Sequence, residues 1–239
     1  MSLLFNAEEG YYSLTTAGMI IFIILTVILL LDAAVIRAHV GDVTNKGKSE
    51  PGKRTFSTRQ MVFAGVSLAL AFALSFIKIL HLPWGGSVTL CSMLFVTIIG
   101  YWYGPKIGLV SALAYGILQF VQGGGGYILS PMQVALDYIV AFMALGVSGF
   151  FNRKKNGLIT GYAVAIFLRA VFHSIGGYIY WMDYMPEDFP QSLAAIYPIV
   201  YNFAYIVLEG ILTVLILMIP GVKNGIGYIT RLATQDSNS

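Results

Sequence analysis

Long apolar runs dominate this sequence and leave few folds open to it. A helix needs about 20 mostly apolar residues to cross a bilayer, and apolar segments near that length occur at approximately 17–38, 61–81, 88–103, 107–122, 132–151, 157–179 and 198–219. Only 10% of the residues are charged, whereas a soluble domain carries about 25%. The pattern predicts an all-α, polytopic membrane helix bundle and excludes a water-soluble domain.

A polar stretch after the first apolar segment divides the chain. We expect residues 1–40 to hold an extra N-terminal transmembrane helix. Residues 41–58 are rich in Gly, Lys, Ser and Pro and are predicted to be a basic cytoplasmic linker. Residues 59–225 then form a six-helix membrane domain, and residues 226–239 form a cytoplasmic tail.

Basic residues mark one side of the membrane. Alternate connections between the apolar segments carry Lys46, Lys48, Lys53, Arg54, Arg59, Lys106, Arg153, Lys154 and Lys155, and the C-terminal end carries Lys223 and Arg231. The opposite connections contain no lysine or arginine but contain Asp183, Glu187 and Asp188. Because basic connections stay in the cytoplasm, the N-terminus is predicted outside and the C-terminus inside. We interpret the net charge of +3 as an orientation signal in contact with membrane lipid, not as a nucleic-acid surface.

The motifs of common enzymes are missing from the sequence. It contains no phosphate-binding loop, no His/Cys metal cluster and no serine elbow. The single cysteine, Cys91, cannot form an internal disulfide and is expected to be a small buried hydrophobic residue. We therefore predict no catalytic residues, no metal and no cofactor, and energy for any transport must come from a partner protein or an ion gradient.

Ionisable residues inside the apolar segments are candidates for function, because a charge in lipid is costly unless it is paired or used. Asp137 lies about two turns inside the fifth segment, and Arg169 and His173 share one face of the sixth, with Trp181 just beyond. One interpretation pairs Asp137 with Arg169 as a structural ion pair. The other makes Asp137 the counter-charge of a cationic ligand, with aromatic rings supplying cation–π contacts.

Other polar residues of the segments leave alternatives open. The Asn202 amide can bind the edge of a heteroaromatic ring or bridge two helices. Lys78 is expected to extend its amine outward to water. Asp32 lies near the inner end of the first segment, and the sequence indicates no specific role for Glu209.

Aromatic and glycine residues concentrate in the connections on the acidic side. They are Trp84 with Gly85 and Gly86, Tyr127 after Gly123 to Gly126, and Tyr178, Tyr180, Trp181 and Tyr184. Tyr and Trp are common at any membrane interface. Glycines, however, let the backbone approach a ligand, and the concentration on one face indicates a binding site there.

A stripe of small residues marks the second segment. Gly65, Ala69 and Ala73 recur at four-residue spacing. Such a stripe lets another helix approach closely, either within the bundle or in a partner subunit.

Four motifs in order resemble the thiamine-binding S component of energy-coupling factor (ECF) transporters. They are Leu82 to Val88, Leu136 to Phe142, Arg169 to His173 with Gly177 and Trp181, and Tyr197 to Asn202. The resemblance covers roughly residues 57–225 and implies a six-helix bundle in a bacterial cell membrane that captures thiamine at its outer face. The extra N-terminal segment and basic linker depart from the family pattern.

The resemblance also implies roles for individual residues. Trp181 would stack on the aminopyrimidine ring, and Asp137 would face the thiazolium cation with His173 nearby. Further contacts or pocket walls would come from Trp84, Tyr127, Tyr138, Arg169, Gly177, Tyr197 and Asn202. The stripe Gly65, Ala69 and Ala73 would dock on a transmembrane T subunit that couples to two ATP-binding-cassette ATPases. The alternatives are another vitamin or a thiamine precursor as ligand, a stand-alone ion-coupled carrier, and a membrane enzyme or structural protein.

Overall fold

The computed structural model describes residues 3–28, 58–82, 85–152 and 154–235, and these ranges are mostly helical. The helices are α1 (Thr16–Ile28), α2 (Thr58–Ser75), α3 (Ser92–Tyr103), α4 (Pro105–Gln122), α5 (Pro131–Phe151), α6 (Gly157–Tyr180), α7 (Tyr197–Met218) and α8 (Pro220–Thr234). The strands are β1 (Phe5–Ala7), β2 (Tyr12–Leu14), β3 (Lys78–His81) and β4 (Ser87–Thr89), which form two antiparallel hairpins, β1–β2 and β3–β4. Helices α2 to α7 form the bundle, at the positions that the last six apolar segments predict.

Local sequence signals set several helix ends. Gly104 takes a φ of 86° just before Pro105 opens α4, and a proline without an amide hydrogen suits a first helical position. Ser130 caps α5 by accepting a hydrogen bond from the Gln133 amide at 3.1 Å, and Pro131 follows it. These signals fix where α4 and α5 enter the bundle.

Within the described ranges, four helices are long and apolar enough to cross a membrane. They are Thr58–Ser75, Pro131–Phe151, Gly157–Tyr180 and the segment Gln191–Met218, which contains α7. The described part of the first apolar segment, Thr16–Ile28, and helix α3 are apolar but shorter. The rest of the predicted first span, including Asp32, and almost all of the predicted linker lie outside the described residues.

The second apolar segment is shorter as a helix than predicted. Helix α2 ends at Ser75, and the chain then forms β3, which pairs with β4 around an irregularity between Lys78 and Leu80. The Ser75 hydroxyl lies 2.6 Å from the Phe72 carbonyl oxygen and 2.9 Å from Gln122 Oε1 and can donate to either one, while the β3 residues beyond it are exposed. The prediction of one helical span to residue 81 was wrong, because the buried face of α2 stops at Ser75.

Glycines bring three helices together at one end of the bundle. A Cβ on Gly108 would lie 2.7 Å from the Gly146 carbonyl oxygen and 2.8 Å from the Gly100 Cα. Backbones this close require small residues at the contact. Helices α3, α4 and α5 therefore nearly touch at this end, and a cavity lies at the other, which we call the pocket end.

The small-residue stripe of α2 faces away from the bundle. Gly65, Ala69 and Ala73 are all exposed, while Leu68 and Ala71 are buried on the opposite face. A Cβ on Gly65 would meet no described atom within 4 Å. No described helix therefore packs against this stripe.

The C-terminal residues continue as a helix. Helix α8 lies across the glycine-packed end, where Trp102 donates its indole hydrogen to Thr230 Oγ1 at 3.1 Å and the Tyr103 hydroxyl donates to the Ala233 carbonyl at 3.3 Å. Tyr228 is exposed on the other face. The predicted tail, residues 226–239, is therefore helical as far as Thr234, which the sequence pattern did not indicate.

Candidate ligand-binding site

A cavity of about 650 Å³ occupies the pocket end of the bundle, within the range typical of small-molecule sites. Nine of the ten ligand-site residues predicted from the sequence line it: Tyr127, Asp137, Tyr138, Arg169, His173, Gly177, Trp181, Tyr197 and Asn202. The tenth, Trp84, lies outside the described residues. One cavity thus collects side chains from α5, α6 and α7 and from the loop that follows α4.

Asp137 is a buried carboxylate with one oxygen held and the other open. The residue is 7% exposed. Its Oδ2 accepts hydrogen bonds from Gln133 Nε2 at 2.9 Å and from Trp181 Nε1 at 3.0 Å. Its Oδ1 lies 3.9 Å from His173 Nδ1, beyond hydrogen-bond distance, and no described residue donates to it. The carboxylate can therefore accept a further donor or face a cation in the cavity.

A wide turn of α5 presents Asp137 to the cavity. Residues Ala135–Val140 are π-helical, between an α-helical first turn and a 3₁₀ stretch at Ala144–Phe151. A π-helical turn holds an extra residue and is frequent at functional sites. Here it places Asp137 and Tyr138 in the cavity lining while Gly146 still faces α4.

Arg169 contacts His173 and an aromatic ring. Its guanidinium lies 4.2 Å from the centroid of the Phe142 ring, and its Nε donates to His173 Nε2 at 3.4 Å. Because arginine only donates, Nε2 must be the acceptor, and the imidazole hydrogen sits on Nδ1, on the side of Asp137. The described residues form no Asp137–Arg169 ion pair, so the structural-pair interpretation is wrong.

Aromatic side chains form the rim of the cavity. The Tyr127 ring lies 6.2 Å from both Trp181 and Tyr184, and the two tyrosine hydroxyls are hydrogen-bonded to each other. That hydrogen bond is the main cause that raises the pKa of Tyr184 above its ordinary value. A second row of tyrosines, Tyr197 and Tyr201, follows the first turns of α7 with ring centroids 5.9 Å apart. The rim can therefore cover a flat ligand on more than one side.

Asn202 and Gly177 join α6 to α7 where both line the cavity. The Asn202 amide donates to the His173 carbonyl at 3.2 Å and to the Pro198 carbonyl at 2.8 Å, so the helix-bridging alternative is present. A Cβ on Gly177 would lie 2.9 Å from Pro198 Cβ and 3.2 Å from Asn202 Nδ2. The missing side chain at Gly177 thus makes room for α7, and Gly177 also lines the cavity.

Gly176 and Glu209 shape the surroundings of the site although the sequence indicated no role for either of them. A Cβ on Gly176 would lie 2.4 Å from Asp137 Oδ1, so this glycine lets the carboxylate approach α6. Glu209, 2% exposed, accepts four hydrogen bonds from Thr89, Ser92 and Met93, at 2.7 to 3.2 Å. The adjacent glycines at 176 and 177 and a carboxylate in mid-segment were the signals available in the sequence.

Comparisons with known proteins agree with one another. The family model described as "Thiamine transporter protein (Thia_YuaJ)" matches residues 61–226. The "Thiamine transporter ThiT" of Bacillus subtilis is 33% identical over 58% of this chain and 76% of its own length, and that of Lacticaseibacillus paracasei is 27% identical over 48% and 59%. A solved structure of ThiT from Listeria monocytogenes superposes with a TM-score of 0.53 at 24% identity, covering 68% of this chain and 96% of that one. This likeness confirms the predicted helical membrane bundle.

Proposed function

The chain belongs to the thiamine transporter family, and from that membership we propose that it binds thiamine in the cavity at the pocket end as the capture step of uptake. The resemblance to thiamine transporters predicted from the sequence is confirmed. The protein is a multi-pass membrane transport component. The alternative that the main ligand is another vitamin or a thiamine precursor is tested by the binding experiment below.

One observation carries the proposed site: a buried carboxylate keeps an open oxygen in an aromatic cavity. Asp137 Oδ1 accepts no hydrogen bond from the described residues, while Trp181 and Gln133 orient Oδ2. Thiamine carries a permanent positive charge on one ring and hydrogen-bonding groups on the other. A fixed carboxylate below an aromatic rim complements such a flat cation.

The remaining site residues take roles that follow from their contacts. Trp181 offers its ring face to the aminopyrimidine while its indole nitrogen orients Asp137. His173 carries a hydrogen toward Asp137, Tyr138 and Tyr197 pack beside the rings, and Arg169 and Asn202 contact polar groups of the ligand. Trp84 and Tyr127 close the pocket, in line with the position of Tyr127 in the rim.

The energy source belongs to the same proposal. We propose that the exposed face of Gly65, Ala69 and Ala73 docks on an ECF T subunit, which couples capture to two ATP-binding-cassette ATPases. The absence of packing around Gly65 by described residues supports a face left for a partner. The basic connections support an outer pocket, with the N-terminus outside and the C-terminus in the cytoplasm.

Thiamine binding by the purified protein tests the proposal. The expected result is saturable quenching of tryptophan fluorescence at micromolar thiamine or below, together with a higher melting temperature. A thiazole or pyrimidine fragment, or another vitamin, serves as the matched control and should bind more weakly. Tighter binding of one of those ligands would identify it, and not thiamine, as the ligand of the site. If none of them and no thiamine bound, the proposal would be overturned.

Co-expression tests the energy source. The chain should co-purify with a T subunit and two ATPases, and Ala69→Leu on the exposed face should reduce that recovery while thiamine binding is retained. A matched control is Ala163→Leu, which makes the same enlargement at an exposed position of α6. Thiamine uptake into vesicles that lack ATPases, driven by an ion gradient, would contradict the proposed coupling.

A further inference from the structure

Residues outside the family match contact the rim of the pocket. The family model begins at residue 61, yet the hairpin β1–β2 lies against the loop between α4 and α5. The Tyr12 amide donates to the Ile128 carbonyl and the Ile128 amide donates to the Tyr12 carbonyl, both at 2.8 Å. Through these two hydrogen bonds, the backbone of the loop beside the cavity pairs with the hairpin as a further strand would.

The hairpin also contacts the rim through a side chain. The Tyr11 ring stacks on the Tyr127 ring with centroids 4.4 Å apart and an angle of 28° between the planes. Tyr127 lines the cavity, is hydrogen-bonded to Tyr184 and lies beside Trp181. Tyr11 thus directly contacts one aromatic residue of the proposed ligand site, Tyr127, and is one contact removed from Trp181 and Tyr184.

Buried packing holds the hairpin and α1 against the bundle. Leu14 is 5% exposed and clusters with Phe120 and Ile128. A Cβ on Gly125 would lie 2.5 Å from Leu14 Cδ1, so the loop glycine leaves the space that Leu14 fills. Phe22 of α1 meets Phe120 edge to face, with ring centroids 5.4 Å apart.

The loop needs such support for a physical reason. Gly123 to Gly126 precede Tyr127 directly, and glycines lose more conformational freedom on ordering than other residues. A tyrosine that follows four glycines is therefore poorly fixed by its own segment. Backbone pairing at Ile128 and stacking on Tyr11 supply the missing constraints.

We propose that residues 3–28 form a buttress of the ligand site and that Tyr11 is its positioning residue. Tyr11 holds Tyr127, and through it Tyr184 and Trp181, in the arrangement that closes the rim over a bound ligand. The thiamine-binding part of this inference rests on the proposed function. The N-terminal segment is then part of the ligand-binding structure.

Thiamine binding by the full chain carrying Tyr11→Ala tests the buttress. We expect the Kd to rise about fivefold, because Tyr127 loses the ring that is stacked on it, with the change mainly in faster dissociation. Tyr11→Phe keeps the ring and should bind like the unchanged protein. The matched control is Tyr12→Ala, whose side chain is 51% exposed and whose contacts with Ile128 are made by backbone atoms.

A second readout works without thiamine. With Trp84→Phe and Trp102→Phe, Trp181 is the remaining tryptophan of the chain, and its emission reports the packing of the rim. Acrylamide should quench this emission more strongly after Tyr11→Ala, but not after Tyr12→Ala or Tyr11→Phe. This measurement decides the inference even if the unchanged protein binds no thiamine, which would overturn only the proposed function.

The contrary results are equally defined. Unchanged quenching and an unchanged Kd after Tyr11→Ala would overturn the buttress. Equal losses from Tyr11→Ala and Tyr12→Ala would also overturn it, because the effect would then belong to the hairpin as a whole and not to the stacked ring.

Discussion

The pocket contains two buried carboxylates whose surroundings differ. Around Glu209, four donors from Thr89, Ser92 and Met93 converge on both oxygens, and Ser92 and Met93 open α3. Around Asp137, both donors meet one oxygen, and no residue in the described ranges donates to the other. Both residues are charged side chains inside apolar helices, so their sequence context alone does not separate them.

The difference teaches how a buried charge is used. The Glu209 carboxylate accepts from the Thr89 amide at the end of β4 and from the Met93 amide in the first turn of α3, where the helix dipole favours a negative charge. Its hydrogen bonds therefore stabilise the fold. Asp137 is oriented by its neighbours and keeps capacity for a partner that the protein itself does not supply, as a binding site requires.

The largest expected effect is on stability, from Glu209→Gln. An amide accepts at one atom only, and its NH₂ group faces the donors that the carboxylate satisfied. We expect the free energy of unfolding to fall by roughly 3 kcal/mol, measured by thermal melting and denaturant titration in detergent. Glu187→Gln, at an exposed loop position, is the control. Equal melting of the two variants would remove the structural role assigned to Glu209.

Asp137→Asn should act on binding instead. The amide keeps an acceptor but loses the negative charge that faces the cation, so the Kd for thiamine should rise at least tenfold, or about 1.4 kcal/mol. Melting without ligand should change little. The control is Asp188→Asn at an exposed position. If titration calorimetry returned the same Kd for both variants, Asp137 would lose its place opposite the cation.

Gly176→Ala tests the position of the carboxylate without changing its charge. The added Cβ would lie 2.4 Å from Asp137 Oδ1, so the carboxylate must move away from α6. We expect the Kd to rise about fivefold, or ~1 kcal/mol. Gly225→Ala in α8 is the control, because its Cβ would meet no described atom within 4 Å. A Kd unaffected by Gly176→Ala would mean that the position of Oδ1 does not matter for binding.

The smallest effect is expected for Trp181→Phe. This change keeps an aromatic ring but removes the indole hydrogen that Asp137 Oδ2 accepts at 3.0 Å. One such hydrogen bond contributes about 0.5–1.5 kcal/mol net, so the Kd should rise about threefold. In a protein that already carries Asp137→Asn, Trp181→Phe should raise the Kd by a smaller factor. Strictly additive effects in this double-mutant cycle would argue against coupling between Asp137 and Trp181.

Much of the fold could be predicted because long apolar runs are compatible with few structures, chiefly membrane-spanning helices. Helices α3 to α7 lie within or close to their predicted segments, and the proline signals at 105 and 131 mark helix starts. The end of α2 could not be predicted, since the apolar residues after Ser75 suit a helix or a strand equally well. Backbone pairing with Ser87–Thr89 decides the matter, and that pairing depends on the folded loop.

The part of the site formed by ionisable residues within apolar segments could be predicted from the sequence. Asp137, Arg169 and His173 stand out in apolar segments, and the structure brings them to one cavity. The function of Glu209 was hidden because its Thr89 donors lie 120 residues earlier in the chain. Contacts such as Gly176 with Asp137, or Tyr11 with Tyr127, likewise join separate segments, and periodicity carries no information about them.

The wide turn of α5 has a consequence for the residues that follow it. Each residue of an α-helix advances the side-chain direction by roughly 100°, so the extra residue within Ala135–Val140 rotates everything downstream relative to Asp137. Deleting one residue there would restore regular winding and turn either the carboxylate or Gly146 away from its present neighbours. Insertion and deletion are therefore far harsher changes in this turn than substitution, and homologues should conserve its length even where its side chains vary.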